Sequence, residues 1–151
     1  MSVLSQPCTL WVRLGLAGVL MIASSSCTSS PITSSKIEKS IASTFANLVH
    51  AQISRVGLSP LSASDISVKA NCHRATGGGA GAGDWVCTLV WSGPNGTLLQ
   101  DTYDLSVATD GCYTAAVDPT ESQLGGPTLT TADGKTQRNL LYKFDGCFDT
   151  I

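Results

Sequence analysis

The chain has 151 residues, of which 42% are hydrophobic and 13% are charged, and its formal net charge is −2. This length suits one domain with a single hydrophobic core and is too short for two. A weakly acidic chain lacks the basic surface that nucleic acid requires, so we expect no nucleic-acid partner.

Residues 1–26 are predicted to be an export signal. Arg13 is the only charge before a run of apolar and small residues at 14–23. At about ten residues the run is shorter than the roughly 20 that span a bilayer. The small residues directly before Cys27 resemble the lipobox of bacterial lipoproteins, in which that cysteine is acylated. Ser24 stands where leucine is usual, so secretion without an anchor is the alternative.

The start of the mature chain is predicted to link a lipid anchor to a folded body. Residues 27–35 are polar and carry Pro31, which is typical of a short tether, and residues 36–151 form the single domain. The predicted location is the outer face of the bacterial cytoplasmic membrane, reached through the lipid anchor. Secretion into the medium is the alternative.

From Lys36 to Val56 the spacing of apolar residues predicts an amphipathic helix. They recur at steps of three and four residues, which places them on one helical face: Ile37, Ile41, Phe45, Leu48, Val49, Ile53 and Val56. Ser34 or Ser35 is the expected N-terminal cap, and Gly57 is the expected stop.

After residue 65 the period changes to two, which predicts strands. Residues 66–72 alternate between apolar and polar, whereas residues 85–91 are apolar on both faces. The glycine-rich segment between them is predicted to be a flexible hairpin loop. If these two strands pair antiparallel, Cys72 and Cys87 lie on the same core-facing side, close enough for a disulfide.

Further strands are predicted at residues 98–108 and 112–117. A last hairpin is expected from residues 128–131 and 137–144, joined by a turn at Asp133-Gly134. A helix followed by antiparallel strands indicates an α+β fold, with an N-terminal amphipathic helix packed on an antiparallel meander sheet.

Four cysteines remain once the signal and the acylation candidate are set aside: Cys72, Cys87, Cys112 and Cys147. In an exported domain they predict two disulfides, for which three pairings are possible in principle. Strand parity favours Cys72–Cys87, which leaves Cys112–Cys147 to tie down the C-terminus. A metal site is the alternative, but the long, irregular gaps between the cysteines do not fit one.

The predicted helix and strands from Lys36 to Val117 resemble, in their order, the cystatin-like group of folds and small actinobacterial envelope lipoproteins of unknown function. Two short motifs contribute to this resemblance: WVC at 85–87 and DGCY at 110–113. The Q-x-V-x-G hairpin wedge of the cystatin inhibitors is absent from the sequence, so the resemblance does not imply protease inhibition.

Three residues around the glycine-rich loop are candidate ligand contacts: His73, Arg74 and Asp84. No catalytic constellation, cofactor site or metal site is predicted. The predicted function is therefore a non-catalytic binding or accessory module that contacts another envelope protein or a small apolar ligand. The alternatives are an envelope hydrolase using His73 with Asp84, and a purely structural cell-wall protein.

Overall fold

A computed structural model describes residues 31–57, 65–93, 96–120, 122–131 and 133–150. One helix packs on one face of a five-stranded antiparallel sheet, and a two-stranded hairpin completes this α+β fold. In chain order the elements are α1 (Ser34–Arg55), β1 (Val68–Arg74), β2 (Gly83–Ser92), β3 (Leu98–Val107), β4 (Cys112–Val117), β5 (Thr128–Thr130), β6 (Thr136–Arg138) and β7 (Lys143–Cys147).

The predicted export signal and Cys27 lie outside the described residues. The helix begins at Ser34, so Ser34 and Ser35 belong to it and not to the predicted tether. Its cap is Thr33, one residue before the predicted position, because the extended backbone there lets the Thr33 hydroxyl accept a hydrogen bond from the Lys36 amide. In the part of the chain that the structure covers, no helix has the length and apolarity to cross a membrane.

The core lies between α1 and the inner face of the sheet. The predicted helical stripe is buried at Ile37, Ile41, Phe45 and Val49, as are the four inward side chains of β2. Phe45 lies at the centre, and its ring centroid is 4.8 Å from that of Trp91 and 5.9 Å from that of Tyr103. The apolar face of the helix, with its period of 3.6, and the apolar face of the sheet, with its period of 2, therefore form one shared layer.

The sheet has the order β1-β2-β3-β4-β7, with every neighbouring pair antiparallel. The first four strands form the predicted meander. Both predicted disulfides are confirmed, because Cys72–Cys87 and Cys112–Cys147 each join residues that face each other in the register. One bridge closes β1 on β2, and the other closes β7 on β4.

The prediction of one strand over residues 137–144 is wrong. Residues 136–138 pair with β5, and residues 143–147 pair with β4 in the main sheet. Between them lies Asn139, which is only 1% exposed, and its amide donates to the carbonyls of Leu124 and Gly126. Because the buried Asn139 amide needs both of these acceptors, the chain turns here from the small hairpin to the large sheet.

One carboxylate is also buried on the inner face of β3. Asp101 is 3% exposed and accepts hydrogen bonds from the Gln123 amide and the Ser122 hydroxyl. Burial nevertheless dominates these bonds and raises the pKa of Asp101 above its ordinary value of 3.8. This carboxylate holds the loop after β4 against the sheet.

Phe45→Ala removes the side chain that contacts three buried aromatic rings. We expect the free energy of unfolding to fall by about 3–5 kcal/mol, measured by urea denaturation. Asn47→Ala, on the exposed side of the same helix, is the control and should change stability by no more than about 0.5 kcal/mol. Equal effects of the two changes would contradict the described core.

Asp101→Asn tests the buried carboxylate. Because the folded-state pKa is raised, the native state holds the proton more tightly than the unfolded chain, and stability falls as pH rises from about 3.8 through that pKa. The Asp101→Asn variant should therefore show a higher urea midpoint than the parent at pH 7. The advantage should shrink towards pH 3, where both side chains are neutral, and a constant difference would contradict the assignment.

Candidate functional site

The outer face of the sheet, opposite α1, is left uncovered by the described helix. We call it the open face. Its side chains alternate with the core residues along each strand and are mostly short, β-branched, polar or charged. The strand register places them in adjoining rows: His73, Val86, Asp104, Ala116 and Lys143 in one, and Asp84, Ser106, Thr114 and Asp145 in the next.

A shallow depression of about 330 Å³ lies in the middle of the open face. It forms where the small side chains of Ser106 and Ala116 lie among longer ones and leave the sheet backbone thinly covered. Small and β-branched side chains share its lining with two carboxylates and one ammonium group: Val86, Ser106, Ala116, Asp84, Asp104 and Lys143. Among the described residues, neither of these carboxylates forms an ion pair.

The sequence-predicted contact residues do not converge on one point. His73 and Asp84 both lie on the open face, on neighbouring strands, and both are exposed. Arg74 has the opposite parity, and its guanidinium donates to the carbonyls of Ala80 and Ala82, at 3.0 and 2.9 Å. Arg74 therefore holds the glycine-rich loop, whereas ligand contact by His73 and Asp84 stays a prediction.

The glycine-rich loop has fixed contacts that the sequence did not reveal. Besides the Arg74 fork, the Gly81 amide donates to the Ile32 carbonyl at 2.8 Å, and the Trp85 indole donates to the Gly81 carbonyl at 3.1 Å. Thr33 also forms a β-bridge with Ala80. The residues that lead into α1 are thus attached to the β1–β2 loop.

The edge strand β1 is partly closed by the helix. The Cα atoms of Cys72 and Cys87 are 4.1 Å apart, as in a non-hydrogen-bonded antiparallel pair, so the Cys72 amide points away from β2. The Glu38 carboxylate accepts a hydrogen bond from this amide at 3.0 Å. A side chain from α1 therefore occupies a donor that another strand would need.

The edge strand β7 is closed in the same way. The Lys143 carbonyl accepts from the Arg138 guanidinium at 2.9 Å, and the Cys147 carbonyl accepts from the Ser40 hydroxyl at 3.2 Å. Just beyond the strand, the Asp149 carbonyl accepts from the Lys36 ammonium at 3.0 Å. Side chains thus occupy one edge donor on β1 and two edge carbonyls on β7, which disfavours strand addition at either edge.

The described residues contain no group of three or more histidine, cysteine or carboxylate side chains placed to hold a metal ion. The charged groups of the open face that the sequence missed are Asp104 and Lys143. Alternation of polar residues marks both as outward-facing, but their proximity depends on the return of β7 to β4, which no local pattern encodes.

Comparison with known proteins gives no relatives: no family model, no curated protein and no solved structure matches this chain.

Arg74→Ala should free the glycine-rich loop, because two charge-assisted hydrogen bonds to its carbonyls are lost. We expect the free energy of unfolding to fall by about 1.5–3 kcal/mol and the Gly81 amide to exchange hydrogen faster. Arg74→Lys keeps the charge but loses the planar fork, so its effect should be intermediate. Unchanged exchange at Gly81 in Arg74→Ala would refute this role.

Proposed function

We propose that this protein is an exported, lipid-anchored module that binds another envelope protein through its open face. The observation that carries the proposal is a broad sheet face left uncovered beside two edges that side chains partly occupy. Two disulfides support an oxidising compartment, because such bonds persist mainly outside the cytosol. The proposed attachment to the membrane is acylation of Cys27.

The proposed anchor would orient the domain on the bilayer. The five residues from Thr28 to Ile32 can span at most roughly 18 Å when fully extended. Ile32 is buried, and its carbonyl binds Gly81. The end of the domain that carries the glycine-rich loop would therefore stay close to the membrane surface. That loop has no charged residue between Ala75 and Gly83, so it can lie near lipid head groups of either charge.

The opposite end of the sheet would point away from the bilayer. β2 has ten residues and rises about 3.3 Å at each, so its far end lies roughly 30 Å from the loop. The strand β3 begins there with Leu98, which is 72% exposed and has open-face parity. A flat, largely polar face suits a protein partner better than a small apolar ligand, which needs a concave apolar pocket.

The anchor is tested by replacing Cys27 with serine in the full chain. The parent should be recovered in the membrane fraction with a lipid increment in its intact mass, whereas the Cys27→Ser variant should be soluble and lack that increment. Parent protein recovered from the medium without added mass would refute the anchor and leave a secreted binding module.

The binding surface is tested in the same cells by photo-crosslinking. A photoreactive residue at Thr102, in the centre of the open face, should form a discrete protein adduct. The same residue at Asn47, on the outer side of α1, is the matched control and should form none. Asp104→Lys, which reverses a charge on the open face without touching the core, should abolish the Thr102 adduct. Adducts that survive this change, or that form equally at Asn47, would refute the proposed surface.

A further inference from the structure

We propose that Cys112–Cys147 is a site of thiol–disulfide exchange, whereas Cys72–Cys87 does not exchange in the folded protein. The site would take a dithiol, either a small molecule or an exported protein with two neighbouring thiols. This inference does not depend on the lipid anchor or on the partner proposed above.

The two bridges differ first in burial. Cys72 is 6% exposed and Cys87 is fully buried, and both lie on the inner face of the sheet beneath α1. Cys112 is half-buried and Cys147 is exposed, and both have the parity of the open face. A thiolate can therefore reach the second bridge from solvent, but it can reach the first only after the helix or β1 has moved.

The position of Cys147 also determines the direction of attack. Exchange proceeds by in-line displacement, in which the attacking sulfur approaches one cysteine from the side opposite the other. The bond between the two sulfurs runs across strands from β4 to β7, and β7 is an edge strand of the described sheet. A thiolate that comes from beyond this edge has a direct path to the Cys147 sulfur. The opposite path, to Cys112, lies over β3.

The exchange takes place in two successive displacements. One sulfur of the dithiol, as thiolate, attacks the Cys147 sulfur and forms a mixed disulfide, and the Cys112 sulfur leaves with the electron pair and takes a proton. The second thiolate of the dithiol then attacks the first sulfur of the same molecule, which releases Cys147. The dithiol becomes a disulfide, and the protein gains two thiols.

The surroundings of the bridge favour a dithiol that carries no negative charge besides its attacking thiolate. Asp145 lies two residues before Cys147 on the same face, and Asp110 lies two residues before Cys112. Asp149 follows on the other side, while Lys36 and Lys39 border the depression that Cys147 shares with α1. The carboxylates nearest in sequence to the two sulfurs would repel an anionic thiol more than a neutral one.

The fold should survive the exchange. Tyr113 remains buried against Gly146, where any side chain would overlap its ring, and its hydroxyl stays bonded to Ser40 and Thr44. The Phe148 amide also donates to the Gly111 carbonyl at 3.1 Å. Contacts other than the bridge thus hold β7 in place, so reduction should change the edge of the sheet and not its core.

The experiment is limited reduction of the folded full chain with dithiothreitol, followed by alkylation and peptide mass mapping. We expect Cys112 and Cys147 to be alkylated at least roughly tenfold faster than the other pair, a ratio that an opening free energy of about 1.4 kcal/mol already gives. Circular dichroism should remain native after this step. Equal rates, faster loss of Cys72–Cys87, or unfolding on the first reduction would each overturn the proposal.

Two further measurements separate accessibility from instability. A brief treatment with 2-mercaptoethanol, quenched with acid, should leave the adduct on Cys147 and a free thiol on Cys112, and the reverse pattern would refute attack from the edge. The double variant Cys112→Ala with Cys147→Ala should fold and retain a Cys72–Cys87 bridge that resists dithiothreitol. Rapid reduction of that bridge in the double variant would show that its burial does not protect it.

Discussion

The structure depends on one constraint: a single helix buries one face of the sheet, so the strand register must keep the aromatic and most other large apolar side chains on that side. Phe45 packs against rings from β2, β3 and β7, and a slip of one residue in any of these strands would turn its core residues outward. The Cys72–Cys87 bridge lies inside this layer and joins β1 to β2 in a register that turns both cysteines towards the helix. The open face is the other consequence of the same constraint.

The first half of α1 also determines which surfaces of the sheet another chain can reach. Its side chains extend to both edges, with Glu38 on the Cys72 amide and Ser40 on the Cys147 carbonyl. Hydrogen-bonding groups at a sheet edge invite pairing with other strands, and occupation of these groups disfavours that association. In the proposed binding mode, a partner would meet the side chains of the open face instead of free backbone. Specific recognition there would depend on the charges of Asp84, Asp104 and Lys143.

The two disulfides have the same strand geometry but different environments. One is enclosed by the core and fixes the register of the sheet, while the other lies on the open face and closes the edge strand. The difference follows from parity alone: Cys72 and Cys87 occupy core-facing positions of their strands, whereas Cys112 and Cys147 occupy outward-facing positions. A reagent in solution can therefore reach one bridge at the surface and cannot reach the other in the folded protein.

The sequence by itself determined the helix, the first four strands, the meander order and both disulfides, because periods of 3.6 and 2 are local and parity fixes which cysteines can meet. It also placed His73 on the outward face. It could not reveal that Arg74 is used to hold the loop, that Asn139 divides the last predicted strand, or that Glu38 and Ser40 close the edges. The Glu38 and Ser40 contacts join groups 34 and 107 residues apart, and the Asn139 amide is buried and finds its acceptors 15 and 13 residues away. The Arg74 contacts span only 6 and 8 residues, but they depend on the path that the glycine-rich loop takes. Only the tertiary structure brings such groups within hydrogen-bonding distance, so only it decided which polar residues stabilise the fold and which remain on the open face.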